Sequence, residues 1–368
     1  MDGLLLLLVI VTAGYACFTL FFLTGLWRLN RPPAPTSPSW PTVSIIVAAR
    51  NEEQTLPHLL HDLIRQDYPT DRLEIVVVDD RSTDGTLSVI EKFQQQYPQV
   101  YGQQITESHP IMTPKKYALT KALEVARGEI ILTTDADCRV KTTWVSSMVR
   151  EFTPDTGIVV GFSAIDITPN TFFVRYQAVD FLGLMATNAG AIGWGRNWSG
   201  SGQNLAYRRK NFEAIHGFQP VAQQVSGDDM YLVQAISRQA RLRFNNNPQS
   251  FVTTTPVPRL STFLAQHIRW ASNSRKAFHS DPLFLAFLVT AFLYNIFLLF
   301  GFVFHTWWPW VIIPFGVKFI LDALVIFTGA QRFDKTVDPT VYCVWSVAQP
   351  VYIPLVGLLG LTGKFKWK

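Results

Sequence analysis

The residues in this 368-residue sequence that are best suited to chemistry are two aspartates one position apart. Asp135 and Asp137 follow a short apolar run at residues 130–134. On an extended chain, side chains two positions apart share a face, so both carboxylates can bind one hard cation. Open α/β sheets bind their ligands at the carboxyl ends of the strands. An isolated Asp-x-Asp motif is common, however, and its meaning depends on the residues around it.

Two earlier apolar runs, residues 43–48 and 73–78, also end in polar residues. Uninterrupted apolar strands are typical of a parallel sheet that is covered on both faces. Parallel strands end on one edge of their sheet, and that edge collects the polar residues that follow them. The residues that follow the two runs include Ala49, Arg50, Asn51, Glu52 and Asp80.

Helical patterns separate the predicted strands. Apolar positions at helical spacing begin at Leu56, and further helices are predicted at residues 87–96 and 115–127. This alternation predicts an α/β fold with a mostly parallel, Rossmann-like sheet and right-handed crossovers. A fourth strand is predicted at residues 157–162. The apolar and aromatic residues 172–190 predict a helix that lies against the domain or at the membrane surface, and a helix in the core of the domain fits these residues equally well.

Four stretches with little charge are each long enough to cross a bilayer, which takes roughly 20 residues. They are residues 4–27, 283–304, 307–327 and 341–361. The sequence between the first and the second has ordinary globular composition and begins with a proline-rich linker. We therefore predict a transmembrane anchor (residues 1–28), a linker (29–41), one soluble domain (42–280) and a C-terminal membrane region of two to three helices (281–368).

The charges around the anchor predict its orientation. Arg28 and Arg31 follow the span, so the positive-inside rule places that end and the soluble domain in the cytoplasm. The acidic start of the chain favours an uncleaved anchor over a signal peptide. Three scattered cysteines give neither a disulfide framework nor zinc-ligand spacing, which agrees with a reducing compartment. We expect an integral protein of the cell inner or plasma membrane.

The formal net charge of +5 comes mainly from basic residues near the ends of the spans. That placement predicts contact with anionic lipid and not with nucleic acid. The residues concerned are Arg275, Lys276, Arg332, Lys335, Lys364, Lys366 and Lys368.

Prolines and charges inside the predicted spans lead to two further predictions. Three C-terminal spans would place the end of the chain outside the cell, whereas the basic tail favours the cytoplasm. Because Pro350 and Pro354 interrupt the last stretch, we predict a re-entrant or surface-lying helix there. Lys318 and Asp322 lie four residues apart in an earlier span, and we predict that they neutralise each other and do not form a functional site.

Two motifs precede the membrane region. Asp228 and Asp229 begin a predicted helix, where acidic residues either cap the helix or take part in chemistry. Gln266, Arg269 and Trp270 lie on a predicted helix next to the membrane. Trp270 is suited to stacking on a sugar or a lipid head group, and also to anchoring the chain at the interface.

Taken in order, these motifs resemble those of membrane-bound family 2 glycosyltransferases with the GT-A fold. The resemblance covers residues 43–270 and points to the subgroup with a Gln-x-x-Arg-Trp motif. That subgroup includes ceramide glucosyltransferases and the synthases of cellulose, chitin and hyaluronan. Each motif alone is weak, but five motifs in the correct order are specific.

The resemblance implies a role for each matched position. Asp135 and Asp137 would bind the diphosphate through Mg²⁺ or Mn²⁺, with Asp137 as the direct ligand, and Asp229 would be the catalytic carboxylate. Pro114 stands where the family more often has glycine. A nucleotide sugar, expected to be UDP-linked, would be held by Ala49, Arg50, Asn51, Glu52, Asp80, Lys115 and Asp135. The site would be closed over the diphosphate and the acceptor by Gln266, Arg269 and Trp270.

The residue types suit this chemistry independently of the resemblance. A departing nucleoside diphosphate gains negative charge, which a cation held by carboxylates stabilises. The attacking hydroxyl has a high pKa, so a positioned carboxylate that removes its proton accelerates the attack. A one-step attack inverts the anomeric carbon. We predict an inverting transfer from a nucleotide sugar to a membrane-associated lipid acceptor at the cytoplasmic face.

Three alternatives remain open. A processive polysaccharide synthase of the chitin or hyaluronan type uses the same motifs, but a small membrane bundle disfavours a conduit for a long polymer. A nucleotidyltransferase also places acidic pairs on an α/β sheet, yet it does not explain the Gln-x-x-Arg-Trp motif. A membrane adaptor or transporter with a degenerate domain is disfavoured by the intact carboxylates Asp80, Asp135, Asp137 and Asp229.

Overall fold

The computed structural model of the protein describes residues 2–29, 40–274 and 281–362. The described chain divides into two compact units. We call them the sheet unit (Asn30–Asp166 and Ser199–Thr255) and the helical unit (Met1–Leu29, Ile167–Trp198 and Pro256–Lys368). The domain boundaries predicted at residues 28, 41 and 280 stay predictions. Most of the predicted linker (residues 30–39) lies outside the described residues, as do Arg31, Arg275, Lys276, Lys364, Lys366 and Lys368.

Strands and short helices alternate along the sheet unit. The strands are β1 (Val43–Ala49), β2 (Leu73–Asp80), β3 (Val100–Ile105), β4 (Ile130–Thr133), β5 (Cys138–Val140), β6 (Thr156–Gly161), β7 (Ser163–Ile165), β8 (Leu205–Arg208), β9 (Arg241–Asn245) and β10 (Val252–Thr254). The α-helices of the whole described chain are α1 (Asp2–Arg28), α2 (Leu56–Leu63), α3 (Thr86–Gln96), α4 (Pro114–Val125), α5 (Trp144–Val149), α6 (Phe172–Gly193), α7 (Arg209–Ala214), α8 (Asp228–Ile236), α9 (Leu260–Ala271), α10 (Pro282–Val303), α11 (Trp308–Arg332) and α12 (Pro339–Thr362).

Seven of the described strands form one mixed sheet in the order β3-β2-β1-β4-β8-β6-β9. Strands β1 to β4 run parallel, whereas β8 is antiparallel to both of its neighbours. The register pairs Ala49 with Asp79 and Ile46 with Thr133, so β1, β2 and β4 end on the same edge. The prediction of a mostly parallel α/β sheet with its polar strand ends on one edge is confirmed.

The centre of this sheet is apolar on both faces, as the uninterrupted runs predicted. Ile45 and Val47 on one face of β1, and Ile46 on its other face with Val78 of β2, are fully buried. On one side, α2 buries four leucines at helical spacing, each contributing about 1.5–3 kcal/mol relative to an exposed position. This core fixes the strand ends, and with them the side chains that follow β1, β2 and β4.

Strands β3 and β8 were not predicted from the sequence. β3 lies at one end of the seven-stranded sheet, and its sequence Val-Tyr-Gly-Gln-Gln-Ile is largely polar. β8 is only four residues long and follows a glycine-rich stretch. A second small sheet, in the order β5-β10-β7, joins short segments that are far apart in the sequence. Neither alternation nor length distinguishes such strands from loops.

Four helices in the described part of the chain, α1, α10, α11 and α12, are long and apolar enough to cross a membrane. α12 continues through Pro350 and Pro354, so the expected interruption of this helix is absent. α6 belongs to the helical unit and not to the core of the sheet unit, so the core placement considered for residues 172–190 is wrong; its predicted position against the domain or at the membrane surface stays a prediction. It contacts α1 closely, since a Cβ added at Gly25 would lie 1.9 Å from the carbonyl oxygen of Gly190.

Lys318 and Asp322 form a buried ion pair within α11, as predicted. Their side chains are 1% and 7% exposed. The hydroxyl of Tyr15 on α1 donates to Oδ1 of Asp322 at 2.6 Å, a contact that the sequence did not predict. A buried charge is tolerated when it is paired and hydrogen-bonded, and this cluster joins α1 to α11.

Candidate active site at the carboxyl edge of the sheet

Lys115 and Asp135 meet at the carboxyl edge of the sheet. Pro114 occupies the first turn of α4, where its missing N–H costs nothing, and so places Lys115 near the start of the helix. Lys115 Nζ lies 2.7 Å from Oδ1 of Asp135, which follows β4. Burial alone lowers the pKa of Lys115, but Asp135, Asp228 and Asp229 outweigh it and the net pKa is raised. Lys115 is therefore a fixed positive charge beside three carboxylates.

Asp137 lies two residues beyond Asp135 and is only partly exposed. Burial, followed by the negative charges of Asp135 and Glu52, raises the pKa of Asp137 to about 6. The hydroxyl of Thr254 donates to its Oδ2 at 3.4 Å. The concentration of negative charge at Asp135, Asp137 and Glu52 is the environment in which a divalent cation is favoured.

The described residues contain no group of three or more His, Cys, Asp or Glu side chains arranged to hold a metal ion. Mg²⁺ or Mn²⁺ in a nucleotide site usually takes one or two protein carboxylates and completes its shell with phosphate oxygens and water. The pair of Asp135 and Asp137 fits a cation bound together with a diphosphate.

Asp229 lies near the start of α8, which the backbone reaches by a left-handed turn at Gly227 (φ +82°). Its Oδ2 accepts a hydrogen bond from the amide of Gly202 at 3.3 Å. Burial, followed by the neighbouring charge of Asp228, raises the pKa of Asp229 to about 6, whereas Lys115 lowers it. A carboxylate with a raised pKa beside a cleft is typical of a general base.

A small pocket of about 10 Å³, which we call the donor cleft after the role proposed below, lies among these groups, although Asp137 is not one of its lining residues. Three of the predicted site residues, Lys115, Asp135 and Asp229, are among its lining residues. Its other lining residues include Ala48, Thr133, Thr134, Gly202, Phe218 and Asp228. Gly202 was missed, although the glycine-rich stretch that ends there was visible in the sequence. A Cβ at Gly202 would lie 3.9 Å from both Lys115 Nζ and Asp229 Cβ, so this residue forms part of the wall.

The loops after β1 and β2 are joined by side-chain hydrogen bonds. Oδ1 of Asn51 accepts from the amide of Thr83 at 2.8 Å, and the amide of Glu52 donates to the hydroxyl of Thr86 at 2.8 Å. Both Asn51 and Arg81 have positive φ angles, +55° and +57°. Non-glycine residues in this conformation are uncommon and occur most often at functional turns.

Asp80 is buried between two arginines. Arg81 Nε lies 2.8 Å from its Oδ1, and Arg50 Nη1 lies 3.8 Å from its Oδ2. The predicted residues therefore meet at neighbouring strand ends: Arg50, Asn51 and Glu52 directly follow Ala49 at the end of β1, and Asp80 is the last residue of β2. Their polar groups lie at the same edge of the sheet as Lys115 and Asp135.

Gln266, Arg269 and Trp270 lie on α9 in the helical unit. His267, in the same motif, is buried, and its Nε2 lies 3.0 Å from Oδ2 of Asp180 on α6. The ring centroids of His267 and Trp270 are 4.6 Å apart. The predicted role of this motif in closing the site stays a prediction.

The mixed, mostly parallel sheet with its acidic carboxyl edge is a GT-A-like glycosyltransferase fold. The mannosyltransferase PcManGT from Pyrobaculum calidifontis, solved with GDP-Man and Mn²⁺, shares this fold with a TM-score of 0.61 at 23% identity. That comparison covers 98% of this chain and 99% of the other. Residues 4–355 match Glycosyl transferase family 21, and the chain belongs to that family.

Curated relatives match parts of the chain. The beta-monoglucosyldiacylglycerol synthase of Synechocystis sp. is 30% identical over 247 residues, which is 63% of this chain and 47% of the relative. The poly(ribitol-phosphate) beta-N-acetylglucosaminyltransferase TarS of Staphylococcus aureus is 38% identical over 94 residues, which is 26% of this chain and 16% of the relative. The chain thus spans about half the length of the first relative, and less of the second.

Proposed function

We propose that the protein is an inverting glycosyltransferase that moves a sugar from a nucleoside-diphosphate sugar to a membrane lipid. The observation that carries this proposal is the meeting of Lys115, Asp135 and Asp229 in the donor cleft. Lys115 supplies a positive charge, Asp135 supplies a carboxylate that would bind a metal ion, and Asp229 supplies a base. The transfer requires all three groups, and here they lie on a family 21 chain. We also infer kinship with family 2 enzymes that carry the Gln-x-x-Arg-Trp motif.

We assign Asp137, together with Asp135, to a divalent cation, Mg²⁺ or Mn²⁺. When bound, such a cation stabilises the charge that builds up on the departing diphosphate. Lys115 adds a second positive charge beside Asp135. Asp80, Arg50, Asn51 and Glu52, after Ala49, would hold the base and the ribose, with UDP as the expected nucleotide.

Asp229 is the proposed general base. The acceptor hydroxyl loses its proton to the Asp229 carboxylate while its oxygen attacks the anomeric carbon, and the nucleoside diphosphate leaves from the opposite face. Both oxygens of Asp229 are held in place, because Oδ2 accepts a hydrogen bond from the Gly202 amide at 3.3 Å and Oδ1 accepts one from the Met230 amide at 2.7 Å. Attack opposite to the leaving group inverts the anomeric configuration.

A lipid is the proposed acceptor. The Synechocystis relative is named a beta-monoglucosyldiacylglycerol synthase. Four described helices of this chain are long and apolar enough to cross a membrane, so the protein meets lipid directly. Arg269 and Trp270 of α9 would close over the diphosphate and the acceptor, with Gln266 beside them. We place the transfer at the cytoplasmic face of the inner or plasma membrane.

The full-length protein in vesicles that contain diacylglycerol tests this proposal. We expect radioactive UDP-glucose to yield a lipid with one sugar of inverted configuration, and EDTA to abolish the product. UDP-N-acetylglucosamine and GDP-mannose in parallel reactions identify the preferred donor. A polymer that lengthens with time would replace the single-transfer proposal by a processive one. Mass spectrometry of lipids from cells with and without the protein identifies the natural product.

The base is tested by Asp229→Asn. We expect turnover to fall by about 10²–10⁴-fold, with binding of the nucleotide sugar nearly unchanged, because the amide keeps the shape but cannot accept the proton. Asp155→Asn is the matched control, since that carboxylate is 60% exposed and lies outside the donor cleft. Retained turnover in purified Asp229→Asn would refute the assignment.

A further inference from the structure

Lys116, the residue after Lys115 on α4, has no part in the function proposed above. Its side chain is buried, with 1% exposure, and its ammonium group donates to the carbonyl oxygen of Gln224. Burial lowers the pKa of Lys116, although Asp228 and Asp229 act in the opposite direction. A buried ammonium is costly to the fold, and an apolar side chain would fill the same space more cheaply. The presence of lysine here calls for a reason other than packing.

The contacts of Lys116 fall on the segment that leads into α8. Thr113, just before α4, holds the same segment. Its amide donates to the carbonyl oxygen of Ala222 at 2.9 Å, and its hydroxyl donates to that of Gln224 at 3.3 Å. Three residues after Gln224, the chain takes its left-handed turn at Gly227, and α8 begins. The first turn of α4 therefore fixes the path of the chain immediately before the two aspartates.

We propose that Lys116 is a positioning residue for Asp229. By binding the carbonyl oxygen of Gln224, its ammonium sets where α8 starts and hence where the Asp229 carboxylate lies in the donor cleft. Neighbouring residues on a helix point in directions about 100° apart, so Lys115 can face the cleft while Lys116 holds the segment behind it. The inference rests on the proposed function, with Asp229 as the base.

The first test is Lys116→Met, assayed with UDP-glucose and diacylglycerol vesicles. We expect kcat to fall about 10- to 100-fold, since a small displacement of a catalytic group costs that much. The KM for UDP-glucose should change by less than about twofold, because Lys115, Asp135 and Asp137 are intact. Lys116→Arg keeps a positive donor and should restore much of kcat. Lys121→Met is the matched control on the same helix, where the ammonium is partly exposed and pairs with Glu124.

A double-mutant cycle separates positioning from general loss of structure. If Lys116 acts through Asp229, Lys116→Met lowers the residual activity of Asp229→Asn no further. If Lys116→Met lowers kcat by the same factor in the wild-type protein and in Asp229→Asn, the proposal is overturned. A folded Lys116→Met variant with the kcat of the wild-type protein also overturns it. If the methionine variant does not fold, Lys116→Gln, which keeps a neutral hydrogen-bond donor, replaces it in the same double-mutant cycle. Full turnover of Asp229→Asn alone would overturn the proposed function, whereas a loss at Asp229 with none at Lys116 overturns only this inference.

Discussion

At the residue scale, the carboxylates in and around the donor cleft differ in how far a neighbouring positive charge neutralises them. Asp135 has Lys115 at 2.7 Å. Asp137 and Asp229 are each raised to a pKa of about 6, first by burial and then by a neighbouring carboxylate. Lys115 alone does not balance this much negative charge, which supports the proposal that a divalent cation binds here together with a diphosphate.

The raised pKa of Asp229 predicts a pH dependence of turnover. The base accepts a proton only when it is ionised, so activity is present above its pKa and is lost as the pH falls through about 6. We expect kcat to fall about tenfold for each pH unit below that value. The measurement is kcat between pH 4.5 and 8 at saturating UDP-glucose and Mg²⁺. A flat profile down to pH 5 would contradict the assignment of Asp229.

Gly202 offers a test of the cleft wall. A Cβ at this position would make only ordinary contacts, 3.9 Å from Lys115 Nζ and from Asp229 Cβ. Gly202→Ala should therefore remain active, whereas the longer side chain of Gly202→Leu would enter the space between these two residues. We expect kcat/KM of the leucine variant to fall on the order of 100-fold through displaced substrate. Equal values for the two variants, with equal thermal stability, would show that the donor binds elsewhere.

The sequence predicted some site residues better than others for a physical reason. Asp80 and Asp135 follow apolar strands, and parallel strands bring such positions together whatever the loops do. Gly202 and Thr133 meet by a hydrogen bond of 2.9 Å between segments 69 residues apart. No local sequence pattern predicts a contact between segments so far apart in the chain. Lys116 was passed over as well, because a lysine on a helix is usually exposed.

At the element scale, the central strands were predictable and the peripheral ones were not. β1, β2 and β4 are buried on both faces and therefore show as apolar runs. β8 is buried too, but it is antiparallel and only four residues long. Its tyrosine and arginine also break the apolar run that identifies the central strands. Its pairing with β4 and β6 is fixed by the sheet and not by its own sequence. β8, which lies between β4 and β6 in the sheet, is thus recognised only in the three-dimensional structure.

The contact between α1 and α6 predicts which glycines the helical unit requires. A Cβ at Gly25 would lie 1.9 Å from the main-chain oxygen of Gly190, and no side-chain movement relieves a clash with backbone. We expect Gly25→Ala to lower the free energy of unfolding by about 1–3 kcal/mol or more. Gly316→Ala on α11 is the matched control, because a Cβ there meets nothing within 4 Å. Thermal unfolding in detergent compares the two, and equal stability would contradict the close packing.

At the scale of the whole molecule, the contacts at the two ends of α12 lead to a prediction of the side of the membrane on which the C-terminal segment lies. Arg332, at the end of α11, donates to the carbonyl oxygen of Leu29 at 2.5 Å, just beyond α1. α12 begins seven residues after Arg332, and Asp338 before it pairs with Arg175 at 2.6 Å. At its other end, a Cβ on Gly360 would lie 2.7 Å from Cβ of Ala271, the last residue of α9.

The start of α12 therefore lies beside α6 and its end beside the end of α9. We therefore predict that α12 lies along or within one leaflet and does not cross the membrane; its hydropathy is the lowest of the four candidate helices. We expect green fluorescent protein fused after Lys368 to fluoresce, and alkaline phosphatase at that position to be inactive. Phosphatase fused after Phe304, between α10 and α11, is the control for the outer side and should be active. Active phosphatase after Lys368 would show that α12 crosses the bilayer, because only then can the basic tail reach the outer face.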